Sequence, residues 1–203
     1  MDTAITTRRD QRREAILAVA AEVFLEEGFQ AASMSSIAAR LGGSKATLYS
    51  YFDSKEALFE AYVTSSCGRI AADVLDFADT EPVPEVLQRL GERLLAQIYS
   101  EWAVRVFQIL MAESRRSPEL SRIFFSTGPQ VGHDRLTLYL EQACARGEIA
   151  ADNCHEAAWL FMAACRAHHI QILLSVEPLP GPEEIRAQVK RAVAMFMAGH
   201  RPS

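Results

Sequence analysis

Lysine is nearly missing from this chain: Lys45, Lys55 and Lys190 are the only three among 203 residues, and Lys plus Arg number 21 against 26 Asp plus Glu. The net charge of −5 excludes a protein that coats nucleic acid through bulk positive charge, and leaves placement of a few cations as the route to such a partner. Long apolar runs are missing too. Two apolar, uncharged stretches, 157–165 and 167–176, are separated by Arg166, and each is about half of the roughly 20 residues a spanning helix needs, so no membrane partner is expected. Arg8, Arg9, Arg12 and Arg13 have no apolar stretch of a secretory signal behind them, so a cytoplasmic location is expected. The four cysteines (Cys67, Cys144, Cys154, Cys165) share no CxxC spacing, and reduced, buried thiols are the expectation. Alternating apolar and polar residues, the mark of a half-buried strand, are absent, as are internal repeats and low-complexity tracts. An all-α fold follows.

What is present is helical period punctuated by Gly and Pro. Residues 8–27 carry Ile16, Leu17, Ala20, Val23 and Phe24 on one stripe and stop at Gly28. Ser33 is a suitable N-cap for a two-turn helix with Met34, Ile37, Ala38 and Leu41 on one face, ending at Gly42 and Gly43. Ser44 caps a third helix with Leu48 and Phe52 one turn apart. Asp53 with Glu56 reads as a capping box that opens a long fourth helix running toward Asp79. Further helices are predicted at 85–100, 102–114, 118–125, 133–146, 153–176 and 182–198. The division expected is a small N-terminal unit, 1–62, and a larger helical body, 63–203, with the fourth helix crossing between them.

The pattern Ile37-Ala38-Ala39-Arg40-Leu41-Gly42-Gly43-Ser44-Lys45-Ala46-Thr47-Leu48 has the spacing of a helix-turn-helix. A small residue lets two helices approach, a glycine makes the turn, and an apolar residue anchors the second helix. At roughly 100° per residue, with Leu48 and Phe52 inward, Ala46 and Ser50 point outward and Thr47 and Tyr49 flank them. That outer face is small and polar, as entry into a DNA groove requires. Lys45 lies in the first turn, where a cation pairs well with guanine O6 and N7. Lys45, Thr47 and Ser50 are therefore the candidate base readers, with Ala46 between them, and Ser33 and Ser44 set helix N-termini where free N–H groups accept phosphate.

The continuation Thr47-Leu48-Tyr49-Ser50-Tyr51-Phe52-Asp53-Ser54-Lys55-Glu56-Ala57-Leu58, with Ala21-Glu22-Val23-Phe24-Leu25-Glu26-Glu27-Gly28-Phe29, resembles the tetracycline-repressor-like (TetR) family of transcriptional regulators, over roughly 15–63. A second stretch, Ala112-Glu113-Ser114-Arg115-Arg116-Ser117-Pro118-Glu119-Leu120 through Ala145-Arg146-Gly147-Glu148, resembles the AefR-type ligand-binding half of that family. The resemblance implies that Tyr49, Tyr51 and Lys55 hold backbone phosphates, that the partner is a double-stranded operator, and that the protein is a homodimer through its last two helices. Two positions depart from the family pattern. Ala46 stands where glycine is usual, which holds the backbone farther from DNA, and Gly43 stands where valine or a similar residue is common, which loosens the turn. Residues 1–62 hold seven Lys or Arg against nine acids, so binding must come from placement; the four N-terminal arginines form a candidate arm for phosphate or the minor groove.

In the body, 157–165 is apolar on every face and must be covered all round, one side by the chain and the other by a second subunit. Val189, Val193, Phe196 and Met197 give the last helix an apolar stripe for the same interface. Trp102, Val106, Phe107, Leu110, Met111, Phe124, Leu136, Tyr139, Trp159, Met162 and Cys165 are candidates to line a cavity, although aromatic and Met residues at helical spacing are usually plain core. With Arg105 and His168 the few ionisable groups expected to face inward, the effector expected is small and mostly apolar. No cofactor is expected. Cys165 and His169 share a helical face, but a metal needs three or four ligands and no others are apparent. Cys154 beside His155 opens a helix, where a thiol pKa can fall, which is the one redox-sensing reading.

Three functions compete on these residues. A ligand-responsive DNA-binding regulator, acting as a repressor, accounts for both halves of the chain. A ligand-binding bundle with a vestigial DNA head is opposed by the DNA-facing chemistry of Lys45, Thr47, Tyr49 and Lys55. An enzyme using Cys165, His168 or His169 lacks a Ser-His-Asp set, a Gly-rich phosphate loop or a carboxylate pair.

Overall fold

The structure, a computed structural model, describes residues 8–78 and 80–202. Among them it has no strand and eleven helices: α1 (Arg8–Glu27), α2 (Met34–Arg40), α3 (Lys45–Tyr49), α4 (Lys55–Val74), α5 (Val83–Ile98), α6 (Glu101–Glu113), α7 (Pro118–Thr127), α8 (Pro129–Ala145), α9 (Cys154–Cys165), α10 (His169–Leu173) and α11 (Pro182–Gly199). The chain falls into two compact units. One comprises the described residues up to Cys67 together with Ile109–Phe124; the other comprises Gly68–Gln108 and the described residues from Phe125 onward.

In the first unit α1 buries Ile16, Leu17, Ala20, Val23 and Phe24, the stripe its sequence shows, and stops at Gly28, whose φ of 79° is the left-handed conformation glycine adopts at least cost. Ser33 caps α2 by a reciprocal box: its Oγ accepts from the Ser36 N–H at 3.1 Å while its own N–H donates to Ser36 Oγ at 3.1 Å. The core is aromatic. Phe24 meets Phe59 edge-on at 5.2 Å, and Phe29 lies 5.5 Å from the first and 5.1 Å from the second. The long helix after the recognition segment is capped by Ser54, whose Oγ accepts from the Ala57 N–H at 3.0 Å, and not by the expected Asp53. It ends at Val74, short of Asp79, which lies outside the described residues.

The second unit packs α5 on α11, α8 on α9, and α9 on α11, around one apolar core that contains Leu87, Leu90, Leu136, Tyr139, Phe161, Cys165, Val189 and Phe196. At Gly91 the helices come so close that an added Cβ would stand 2.6 Å from Val189 Cγ1 and 3.4 Å from Cys165 Sγ. Glycine is required there by contact, since its φ is ordinary. Two expected boundaries shift. α8 begins at Pro129, a full turn before the expected 133, because proline fits the first turn of a helix, where its missing N–H costs nothing. The single helix expected over 153–176 is two: α9 stops at Cys165, Arg166 closes it with φ −100° and ψ 29°, and α10 starts at His169.

Candidate DNA interface and the helical body

α2 and α3 are joined by Gly42, with φ 66°, and the Gly43 N–H returns to the Ala38 carbonyl at 3.2 Å. Ala38 is 2% exposed, so its small side chain fills the elbow between the two helices. Ser44 then caps α3, its Oγ accepting from the Thr47 N–H at 3.1 Å. Leu48 and Phe52 face the core, and the Phe52 N–H bonds the Leu48 carbonyl at 3.1 Å, so one more turn follows the helix proper. On the outside Lys45, Ala46, Tyr49 and Ser50 are exposed, as is Ser33 at the start of α2, while Thr47 and Tyr51 are half-buried. The geometry the spacing implies is therefore present: two inward anchors and a small, polar outer face.

Hydroxyl partners refine the roles available. Thr47 Oγ1 sits 3.0 Å from Ser44 Oγ, a pair in which either hydroxyl can donate, and Ser50 Oγ donates to the Thr47 carbonyl at 2.7 Å, so the Ser50 proton has a local partner while its oxygen stays an acceptor. Lys55 is different. Its Nζ donates to the Phe29 carbonyl at 2.7 Å, approaches the Gln30 carbonyl at 3.5 Å, and lies 4.5 Å from the Phe29 ring centre. Gln30 in turn donates to the buried Glu113 carboxylate, so the turn between α1 and α2 is held from two sides. At the other end of α2, Arg40 pairs with Glu26, which raises the guanidinium pKa above its ordinary value.

The arginines near the N-terminus belong to a helix and not to an extended arm: all four lie in α1, and residues 1–7 are outside the described residues. The Arg9 guanidinium lies 5.8 Å from the Tyr51 ring and that of Arg13 lies 5.3 Å from the Phe52 ring. An added Cβ at Gly43 would meet Arg12 Nη2 at 3.4 Å. The Arg12 guanidinium therefore lies beside the turn, which places a cation next to α3.

The residues expected to line a cavity are distributed over both units. Leu110, Met111 and Phe124 lie in the first; Leu110 is buried, Phe124 half-buried, and Met111 53% exposed. Trp102, Val106, Phe107, Leu136, Tyr139, Trp159, Met162, Cys165 and His168 lie in the second. Leu136, Tyr139, Met162 and Cys165 are members of its core, and Phe107 packs against it. Tyr139 is structural: its hydroxyl donates to the Glu81 carbonyl at 2.6 Å, its ring meets Phe77 at 5.3 Å, and burial pushes its pKa up to about 12. Trp159 stacks on His133 at 4.3 Å, and His133 is fully buried with Nε2 on the His155 carbonyl at 2.9 Å. Val106 is buried and Trp102 half-buried.

Two inward-facing expectations are corrected. Arg105 is exposed, and His168 is exposed and 3.1 Å from Glu177. Arg166 and His169, both half-buried, turn inward beside His168, and burial lowers both pKa values. Cys154 is corrected in the same way. Its Sγ lies 3.6 Å from that of Cys144, and burial, with that thiol beside it, pushes its pKa up to about 11 instead of lowering it. Cys165, deep in the core, is pushed up to about 12. Among the described residues no group of three His, Cys, Asp or Glu side chains is arranged to hold a metal.

The apolar stripe of the last helix is also relocated. Val189, Val193 and Phe196 are 0%, 9% and 5% exposed within the single chain, and Phe196 packs on Phe161 at 5.7 Å and His200 at 4.1 Å. They are core. The apolar side chains these two helices present outward are Leu160 on α9, 59% exposed, and Met195 on α11, 69% exposed.

A capped two-helix motif with an exposed polar recognition face, ahead of a helical body, defines a helix-turn-helix DNA-binding regulator. Residues 16–62 match the bacterial regulatory proteins of the tetR family, and residues 85–202 match the C-terminal domain of AefR-like transcriptional repressors. The chain belongs to the TetR family, whose members are transcriptional regulators and not enzymes. It is similar in structure to a TetR-family regulator from Mesorhizobium loti, with a TM-score of 0.88, 22% identity, and coverage of 96% of this chain and 99% of that one. It is similar as well to the flavonoid-responsive regulator FrrA, with a TM-score of 0.81 and 32% identity over 95% of this chain and 98% of that one. Among curated relatives, the transcriptional regulator UidR of Escherichia coli K12 is 29% identical over 153 residues, 72% of this chain and 73% of that protein. No helix among the described residues is long and apolar enough to cross a membrane.

Proposed function

We propose that the protein is a ligand-responsive repressor of the cytoplasm that binds a near-palindromic operator as a homodimer and leaves it when a small, mostly apolar effector occupies the body, residues 63–203. The observation that carries this reading is the split of α3 into a buried Leu48 and an exposed face of Lys45, Ala46, Tyr49 and Ser50. In it Lys45, with Thr47 and Ser50 as acceptors, reads base edges, while Tyr49, Tyr51 and the N-termini at Ser33 and Ser44 meet phosphates. Lys55, occupied by two carbonyls, positions the turn before α2.

Dimerisation is supported by the outward Leu160 and Met195 on the mutually packed α9 and α11. In a dimer of such motifs two recognition helices must stand about 34 to 36 Å apart to reach successive major grooves. An effector that favours the mismatched arrangement by about 1 to 3 kcal/mol shifts operator affinity 5- to 150-fold. α4 is the proposed lever, since it follows the recognition segment and runs on past Cys67 to Val74. The name of the FrrA relative supports an aromatic effector. The experiment is a gel shift with DNA from the protein's own promoter. Retention of that DNA over random duplex at equal salt supports the reading, and equal affinity for both overturns it.

A further inference from the structure

The break between α9 and α10 has no sequence cause of the usual kind. Residues 165–168 read Cys-Arg-Ala-His, with neither glycine nor proline, and the helix nevertheless stops. What the break accomplishes is a change in the direction of Arg166 and His169, which would otherwise continue one helix. Three helix ends meet as a result: Tyr99 closes α5, Arg166 closes α9, and His169 opens α10. The Tyr99 and His169 rings are 5.7 Å apart, and Phe107 from α6 meets His169 edge-on at 5.6 Å.

The polar atoms in this cluster are under-used. Arg166 gives its Nε–H to the Met162 carbonyl at 3.1 Å, and no carboxylate pairs with the guanidinium among the described residues. Tyr99 is 4% exposed, and among the described residues its hydroxyl has no well-formed hydrogen bond, because the Gln188 side chain beside it gives its amide N–H to the Cys165 carbonyl. His169 Nδ1 is buried and, among the described residues, also without a partner. Glu177, the acid whose charge reaches Tyr99, is paired with His168. A half-buried cation without a counter-charge among the described residues, beside two orphaned polar atoms, is costly to the folded chain, and such clusters persist where a ligand completes them.

We infer that Arg166, Tyr99 and His169 form the head-group subsite for an organic carboxylate, with the planar carboxylate on the guanidinium fork, the Tyr99 hydroxyl as a second donor, and the apolar part of the molecule against Phe107. A carboxylate suits the site because two parallel N–H donors of arginine match its two oxygens. This deepens the effector reading above, and revises it: the ligand is apolar in its body and anionic at one end. Neutralising Arg166 with a ligand also removes the cost of its burial, which gives the bound state an energetic reason to be preferred.

The test uses the full-length protein without DNA and four carboxylates as probes: benzoate, 2-naphthoate, octanoate and dodecanoate. For the best binder the neutral amide of the same shape is measured beside it by calorimetry and by thermal shift. The expected result is a carboxylate preference of about tenfold or more, as hydrogen bonds to a charged group warrant. Arg166→Met should abolish that preference while leaving the ligand-free melting temperature unchanged or higher, and Tyr99→Phe should reduce it severalfold. The inference is overturned if no probe binds below millimolar concentration, if acid and amide bind alike, or if Arg166→Met lowers the ligand-free melting temperature, which would assign the arginine to holding α9. Operator release is followed separately: a carboxylate that binds as expected and leaves operator affinity untouched removes the repressor mechanism and keeps the subsite.

Discussion

The Lys55 ammonium donates to the carbonyl oxygen of Phe29 at 2.7 Å and lies 4.5 Å from the centre of the same residue's ring. One of only two lysines in the first 62 residues is thus committed to the turn that positions α2, and through α2 the recognition segment. Lys55→Met should lower the stability of the protein by about 1.5 to 3 kcal/mol in urea titrations, the range for hydrogen bonds to a charged group. At matched folded protein the salt dependence of DNA binding should not change. A slope that falls by about 1 on a log–log plot would show a lost phosphate contact instead.

Leu160→Glu and Met195→Glu should convert a dimer to monomers with helical content unchanged, as read by sedimentation and circular dichroism, because both side chains are exposed on the single chain. Phe196→Ala is expected to behave otherwise. It empties a core position 5% exposed, so a loss of about 3 to 5 kcal/mol in stability is expected whatever the oligomeric state.

Gly91→Ala should be more damaging than its single methyl suggests. The new Cβ would stand 2.6 Å from one Val189 methyl and 3.2 Å from the other, and a short branched side chain in the core has little room to retreat. A destabilisation of about 1 to 3 kcal/mol is expected, with Val189→Ala partly restoring it in the double variant. Additive losses in that cycle would show that the contact is not the cause.

Glu148 is held below the ordinary carboxylate pKa by the Arg146 side chain and the Val83 N–H, and Glu81 by the Ala78 N–H and Arg89. Depressed folded-state values mean stability that is present above the unfolded value of about 4.3 and is lost as pH falls from there through the lower folded-state values. Melting temperature should therefore drop between about pH 5 and pH 3, and Glu148→Gln should melt lower at neutral pH with a shallower acid decline. An unchanged acid profile in that variant would place the sensitive groups elsewhere.

Local chemistry was readable wherever it decides the outcome alone. Gly28, Ser33, Gly42 and Ser44 mark their boundaries through backbone conformation and capping, so α1 to α3 and the exposed face of α3 follow from the sequence. Tertiary choices were not readable. The order of residues puts Val189, Val193 and Phe196 on one stripe but does not say whether that stripe meets its own chain or a second subunit, and the structure turns it to its own chain. Nor does periodicity reveal the stop at Arg166, where local helical preference yields to the surroundings and the inward pair becomes Arg166 and His169 in place of Arg105 and His168. One signal was available: a lone arginine between two uncharged runs, 157–165 and 167–176, has no nearby acid in sequence to pair with.

The central claim is that α3 reads DNA through Lys45, and fluorescence anisotropy on the promoter duplex, at one fixed salt concentration, tests it most directly. Lys45→Ala should weaken operator binding by about 1 to 3 kcal/mol and relax base preference at one position in each half-site, with affinity for random duplex much less affected. Tyr49→Phe, measured alongside, should weaken operator and random duplex together, as loss of a phosphate contact does. Folded Lys45→Ala and Tyr49→Phe proteins that bind the operator as tightly as the parent would contradict the account.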